Sequence, residues 1–274
     1  MVTLSLTTQR KGASPMRVHI VTPANRTLYV RQLDQMHRQR QEIFVQRMGW
    51  KAIDSGEPLE VDQFDHQHAV YMLLLGDVGE VLGSARLLPT WKEHMFQTVL
   101  APFVEREGRC SGAGVWELSR WIAGPGHDRE TDAECRGYMV TALAEFALTF
   151  NAEAIVACTD PRHINLFAEL GWPLEIIGGP KSYGEGDAIA VRCAIRESDL
   201  DRCRHIFRLP VPATTIMAAS APPRLIDPRA WAIIDQLLEV EDPDLLEDMI
   251  LALTGMQRRK GLSGQEQPGV SGRA

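Results

Sequence analysis

The strongest constraint on the fold is a hairpin signal at residues 68–88. HAVYMLLL (68–75) and EVLGSARLL (80–88) are apolar runs of strand length joined by a turn that contains Gly76-Asp77. Before the hairpin, MRVHIVT (16–22) alternates apolar and polar residues as an edge strand does. Leu28, Leu33, Met36, Ile43, Phe44 and Met48 then suit one or two amphipathic helices that break at Gly49. After the hairpin, WELSRWIA (116–123) reads as a further strand, and DAECRGYMVTALAEFALTFNA (132–152) as a helix. Asp132 is the expected N-cap of that helix, with Met139, Leu143, Phe146 and Ala147 on one face. AIVACTD (154–160) suits a buried strand, RHINLFAELGW (162–172) a helix stopped at Gly171, and DAIAVRCAI (187–195) a late strand. This order predicts an α/β fold, a mixed sheet with helices on both faces.

The expected domains are a polar arm at 1–15, the α/β domain at 16–212, and a Pro/Ala/Ser-rich linker at 213–225. A helical hairpin follows at 226–260, its helices opened by Asp227-Pro228 and Asp242-Pro243, and a disordered tail at 261–274. Among the 274 residues, acidic outnumber basic for a net charge of −7, which argues against a nucleic-acid surface spread over the whole chain. Five cysteines without a CxxC pair suggest neither a disulfide framework nor a zinc ribbon, and point to a reducing cytoplasm. No apolar run is long enough to span a membrane.

Four clusters carry chemistry: Arg40, Phe44 and Trp50; Asp62 and Asp65 in VDQFDHQ; Arg86 in GSARLLPT; and Glu117 with Arg120 in WELSRW. Singly, each suits a solvated charge or a core aromatic. WELSRW poses a particular problem, because in a regular strand Glu117 and Ser119 share one face and Arg120 points away. A bulge or a strand end would bring both charges to one cleft, and such an irregularity is the expectation here.

In order, R-x3-F-x5-W, D-x2-D, RLLPT and ELSR closely resemble the acyl-homoserine-lactone synthases, the LuxI-type autoinducer synthases of quorum sensing, over about residues 16–210. The resemblance implies a GNAT-like fold, an αβα sandwich with a twisted sheet, here with a C-terminal helical extension. It also implies acyl transfer from acyl carrier protein, or acyl-CoA, to the amine of S-adenosylmethionine, which is substrate rather than cofactor. Lactonisation then releases methylthioadenosine. The motif places Arg40, Phe44, Trp50, Asp62, Asp65, Arg86, Glu117 and Arg120 in the site. Leu100 stands where the family usually has phenylalanine, so Phe96 or Phe103 is the candidate replacement for that aromatic wall.

The donor substrate carries an ammonium, a sulfonium and a carboxylate, so carboxylates and guanidinium groups both have uses. Asp62 and Asp65 would meet the cations, Arg120 and Arg40 the carboxylates, and Phe44 and Trp50 the adenine or sulfonium. Arg86 would hold the glutamate or the acidic pair in place. Glu117 is the candidate base, its alternative a structural ion pair with Arg86 or Arg120. Leu100, Ala157, Cys158 and Thr159 are candidates for the acyl pocket, and Arg129, Arg136, Arg162 and Lys181 for docking an acidic carrier protein. His66 and His68 beside the aspartates are assigned to no metal.

Two rivals stand against this. Another GNAT-like N-acyltransferase would carry a glycine-bearing pyrophosphate loop, whereas DRETDAECRGYMV has only Gly137. A non-enzymatic regulator would act through the helices after 226, where Trp231, Ile234, Leu238, Leu246 and Leu253 form an apolar face.

Overall fold

The computed structural model describes residues 16–218 apart from 107, 125, 127, 184, 185, 210 and 211. The expected helical hairpin and tail lie outside the described residues, as does the arm at 1–15. The strands are β1 (Arg17–Val21), β2 (Val70–Leu75), β3 (Val81–Pro89), β4 (Val115–Ala123), β5 (Ala154–Thr159), β6 (Leu174–Ser182), β7 (Asp187–Cys193) and β8 (Thr214–Thr215). They form one sheet in the order β6-β7-β5-β4-β3-β2-β1-β8. Only β4–β5 and β1–β8 pair in parallel.

The hairpin forms as read, and its continuous apolar runs follow from burial on both faces. Val70, Met72 and Leu74 of β2 join a core cluster with α2 (Arg129–Thr149), α3 (Ile164–Leu170) and α4 (Glu197–Phe207). Tyr71, Leu73 and Leu75 point the other way, to Tyr29, Met36 of α1 (Val30–Arg40) and Phe64. The second cluster, on the α1 face, borders the site described below.

Several expectations shift. Asp128, not Asp132, caps α2: its backbone is extended and its carboxylate accepts from the amides of Glu130 and Thr131. Asp132 sits in the first turn and accepts from the amide of Gly126 at 3.0 Å. β1 is not an edge strand, because β8 pairs beside it. Thus 213–217, expected to open a linker, belongs to the folded unit: Ala213 is fully buried, and Asn25 donates to the Met217 carbonyl at 2.9 Å. β6 and α4 carry no clear signal in the sequence, since LEIIGGPKS holds two glycines and a proline and ESDLDRCRHIF is mostly polar. Gly178 in β6 has a packing reason, since a Cβ there would run into the carbonyl of Phe103.

α1 continues into a π-helical turn at Gln41–Arg47, marked by the Met48 amide donating to the Ile43 carbonyl at 2.9 Å. Such turns recur at functional sites. Here it carries Phe44, four residues past the fully buried Arg40.

Candidate active site

The question raised by WELSRW is answered by a β-bulge. Arg86 of β3 pairs with Ser119 and Ser84 with Ile122, so one residue on β3 faces two on β4, Arg120 and Trp121. Arg120 takes the left-handed conformation, φ +53°. The extra residue turns its side chain to the face that Ser119 presents, where Arg86 Nε donates to Ser119 Oγ at 3.1 Å.

On that face three arginines interlock with three carboxylates. Arg40 makes a two-pronged contact with Asp65 at 2.8 and 2.9 Å and also bonds Glu60. Arg86 grips Asp62 at 2.5 and 3.1 Å and lies 3.1 Å from Asp65. Arg120 donates to Glu60 at 2.9 Å and to Asp62 at 2.7 Å. Tyr71 adds a hydroxyl donor to Asp65 at 3.0 Å. Burial opposes the charge on Asp65, but the Arg40 and Arg86 guanidiniums hold its carboxyl well below the usual range. Burial likewise opposes charge on Glu60, yet Arg120 and Arg40 keep its pKa low. Arg40 is raised in turn, against its own burial, by Asp65 and Glu60.

Glu60 escaped the sequence reading although it stands in EVDQFD. Its two-residue offset from Asp62 was the available signal. The network is charge-balanced, so its interior members are spoken for. Asp62 is the most accessible of its carboxylates, with 18% of its side chain exposed against 3% for Asp65 and 1% for Glu60.

The aromatic residues continue outward from the arginines. The Arg120 guanidinium sits 5.8 Å from the Phe44 ring centre, and Phe44 stacks on Trp50 at 5.0 Å. Trp50 meets Tyr183 edge-on at 6.1 Å. Phe44 is buried and Trp50 only partly so, which leaves the indole as the ring able to meet a ligand.

Glu117 shares no bond with Arg86 or Arg120. It is fully buried, and its Oε2 accepts the Phe96 amide at 3.1 Å and lies 3.3 Å from His94 Nδ1. It also marks a fork. The β4–β5 register ends at Glu117–Val156, although β4 runs on to Ala123 and β5 to Thr159. Beside the fork Phe96, Val115, Val156, Ile177 and Ala190 form an apolar cluster joined by Leu100, Phe103 and Cys158. Leu100 and Cys158 thus pack against the same cluster, whereas strand alternation turns Ala157 and Thr159 to the other face, with Thr159 Oγ1 3.2 Å from His163 Nδ1.

The proposed docking cations divide. Arg129 and Arg136 are exposed on α2, whereas Arg162 is engaged by Asp160 and Lys181 by the Pro102 carbonyl and Glu105. His66 uses its ring on the Glu93 carbonyl and the His68 amide.

A family model described as autoinducer synthase matches residues 25–203. The chain belongs to the autoinducer synthase family. An acyl-homoserine-lactone synthase of Agrobacterium fabrum is 30% identical over 182 residues, covering 65% of this chain and 85% of the relative. The isovaleryl-homoserine lactone synthase of Bradyrhizobium diazoefficiens is 29% identical over 184 residues, 67% of this chain and 82% of its own. The solved structure of BjaI, a CoA-dependent acyl-homoserine lactone synthase with MTA, aligns with a TM-score of 0.69 and 26% identity over 75% of this chain and 95% of that one. As an autoinducer synthase the protein is an acyltransferase with a GNAT-like fold, forming an acyl-homoserine lactone with S-adenosylmethionine as a substrate.

Proposed function

We propose that Glu117, at the fork of β4 and β5, is the base of the acyl transfer, and that the arginine–carboxylate network with Trp50 forms the S-adenosylmethionine wall. The observation that supports this most is the position of Glu117. It is a fully buried carboxylate where the strands part, beside an apolar cluster, with Oε1 left without a hydrogen-bond partner.

An α-amino group has a pKa of about 7.7–8.0, so a carboxylate poised against it suffices to take the proton. The free amine attacks the thioester carbonyl, and the tetrahedral oxyanion collapses with loss of the thiolate, which takes the proton held by Glu117; the second nitrogen proton then passes to the regenerated carboxylate and on to solvent. Beyond Glu117 the β5-facing edge of β4 has no strand partner in the register, so its amides suit the oxyanion. The substrate carboxylate then displaces methylthioadenosine at the carbon beside the sulfonium, closing the lactone.

Because three arginines balance three acids, the network sets the shape of the wall more than it lends spare charge. Asp62 is the carboxylate that reaches a substrate cation, and the face of Trp50 adds cation–π attraction of roughly 0.5–2 kcal/mol. The acyl chain runs along Phe96, Leu100, Val156 and Cys158, with Phe96 supplying the aromatic surface.

The acyl group arrives on acyl carrier protein or on CoA. BjaI has been solved with SAM and isopentyl-CoA. In this chain the amides at the α2 N-terminus are held by Asp128, and Glu130 and Asp132 lie in the first turn. Gly137 packs against Phe207. A pyrophosphate is therefore better served elsewhere than at that helix end. Cytoplasmic placement is supported by the free cysteines. Among the described residues no helix is long and apolar enough to cross a membrane.

The test is mass spectrometry of products from purified protein given S-adenosylmethionine with acyl-CoA or with acyl carrier protein thioesters. An acyl-homoserine lactone and methylthioadenosine in equal amounts are expected from at least one donor. Acylated amine without methylthioadenosine would overturn the lactonisation step.

A further inference from the structure

His94 lies in the loop between β3 and β4 and is fully buried. Its Nδ1 is 3.3 Å from Glu117 Oε2, the oxygen that also accepts the Phe96 amide. Its Nε2 has no partner, and neither does Glu117 Oε1. A buried Nε2–H would be a donor without an acceptor, so the tautomer that fits carries its proton on Nδ1 and donates to the carboxylate. Two donors then converge on one oxygen of Glu117 and leave the other bare. Buried polar atoms are rarely left so, and an unpaired carboxylate oxygen where β4 and β5 part marks the atom a ligand would meet.

We propose that His94 is a positioning residue for the acyl transfer: with the Phe96 amide it pins Oε2, so that Oε1 is the lone pair presented to the substrate ammonium. This rests on the reading of Glu117 as the base. It gives the segment after RLLPT a task besides lining the apolar cluster, since two of its members, His94 and Phe96, orient the carboxylate as a unit. Groups that orient a base fix which of its atoms reacts, as well as how strongly the charged form is favoured.

The other titratable groups near Glu117 are the thiols of Cys110, just before β4, and Cys158 on β5. Burial pushes both thiols up, Cys158 to about 12, and the Glu117 charge adds to the effect. Both stay neutral at working pH, so His94 is the neighbour whose removal changes how Glu117 holds its charge.

The experiment compares His94→Leu, which removes the donor, with His94→Asn, which keeps an N–H near the Nδ1 position, and His94→Gln, which reaches toward Nε2 instead. Turnover at saturating S-adenosylmethionine is measured from pH 5 to pH 9, alongside circular dichroism and substrate KM. Loss of a hydrogen bond to the charged form raises a carboxyl pKa. His94→Leu should therefore move the acidic limb of kcat to higher pH and lower kcat about 10- to 100-fold, with little change in KM. His94→Asn should restore the limb and most of the rate, and His94→Gln should not. If His94→Leu does not fold, the Asn and Gln variants carry the same contrast.

Wild-type limbs in all folded variants would overturn the proposal. Glu117→Gln separates the two readings: normal turnover in that variant removes the base itself, whereas a slow Glu117→Gln beside a normal His94→Leu removes only the positioning role. If both are right, His94→Leu adds little in the Glu117→Gln background.

Discussion

At the scale of single residues, chemistry and architecture can be separated by isosteric substitutions. Glu117→Gln keeps the shape and the hydrogen bond from Phe96 but cannot accept a proton, so kcat should fall by about 10² to 10⁴ with a smaller change in S-adenosylmethionine affinity. Raising the pH from 7 to 9 should recover part of the rate, because more of the amine is then already free. Single-turnover rates with calorimetric binding check both halves, and weak binding with normal turnover would make Glu117 a binding residue. Glu60→Gln should behave differently. It leaves Arg40 and Arg120 facing a neutral amide in a buried network, at a cost on the order of 3–5 kcal/mol seen in urea unfolding. The sequence showed the motif residues because their types and order are unusual. It hid Glu60 and His94, since an acid among acids and a histidine in a loop carry no mark of burial.

At the scale of elements, the site depends on two departures from regular strand geometry, the bulge at Arg120–Trp121 and the fork after Glu117–Val156. The first was legible, because two charges of opposite face preference in one apolar strand demand an irregularity. The second was not, because the point where parallel strands separate is set by tertiary packing and leaves no mark in either strand's own pattern. Likewise β6 and α4 were hidden by glycine, proline and polar residues that tertiary packing overrides. The bulge can be tested thermodynamically. Arg120→Ala and Arg120→Gly both delete the bonds to Glu60 and Asp62, but only alanine retains a Cβ at φ +53°. Arg120→Gly should therefore be the more stable of the two by about 1 kcal/mol. Equal stabilities in urea would indicate that the strand relaxes to regular pairing once the guanidinium is gone.

At the scale of the whole molecule, the folded unit extends past the expected boundary at 212 because Glu145 of α2 clasps β8. Its carboxylate accepts from the Ala213 amide at 3.0 Å, and from the Thr214 amide and hydroxyl at 2.8 and 2.7 Å. A chain ending at 218 should keep its turnover, since every site residue precedes that point. One ending at 212 removes three donors and leaves Glu145 with Arg204, 3.0 Å from Oε1, so urea unfolding should show a loss on the order of 1–3 kcal/mol.

The same buried groups set the pH range of stability. Burial lowers the pKa of His19 and His37, so the unfolded chain takes up protons first as the pH falls below about 6.5, and stability declines from there. Glu60, Asp65 and Glu145, each held below its ordinary value by its donors despite burial, extend the loss below about pH 4.3. On the alkaline side burial pushes Cys135, Cys158 and Cys193 to about 12 and Cys203 to about 11. Unfolded thiols ionise near 8.5, so stability declines again above about that pH. Urea midpoints followed by tryptophan fluorescence should thus peak between about pH 6.5 and 8.5. A midpoint that keeps rising from pH 8.5 to 10 would mean that the thiols reach solvent in the folded state and that another group governs the alkaline limb.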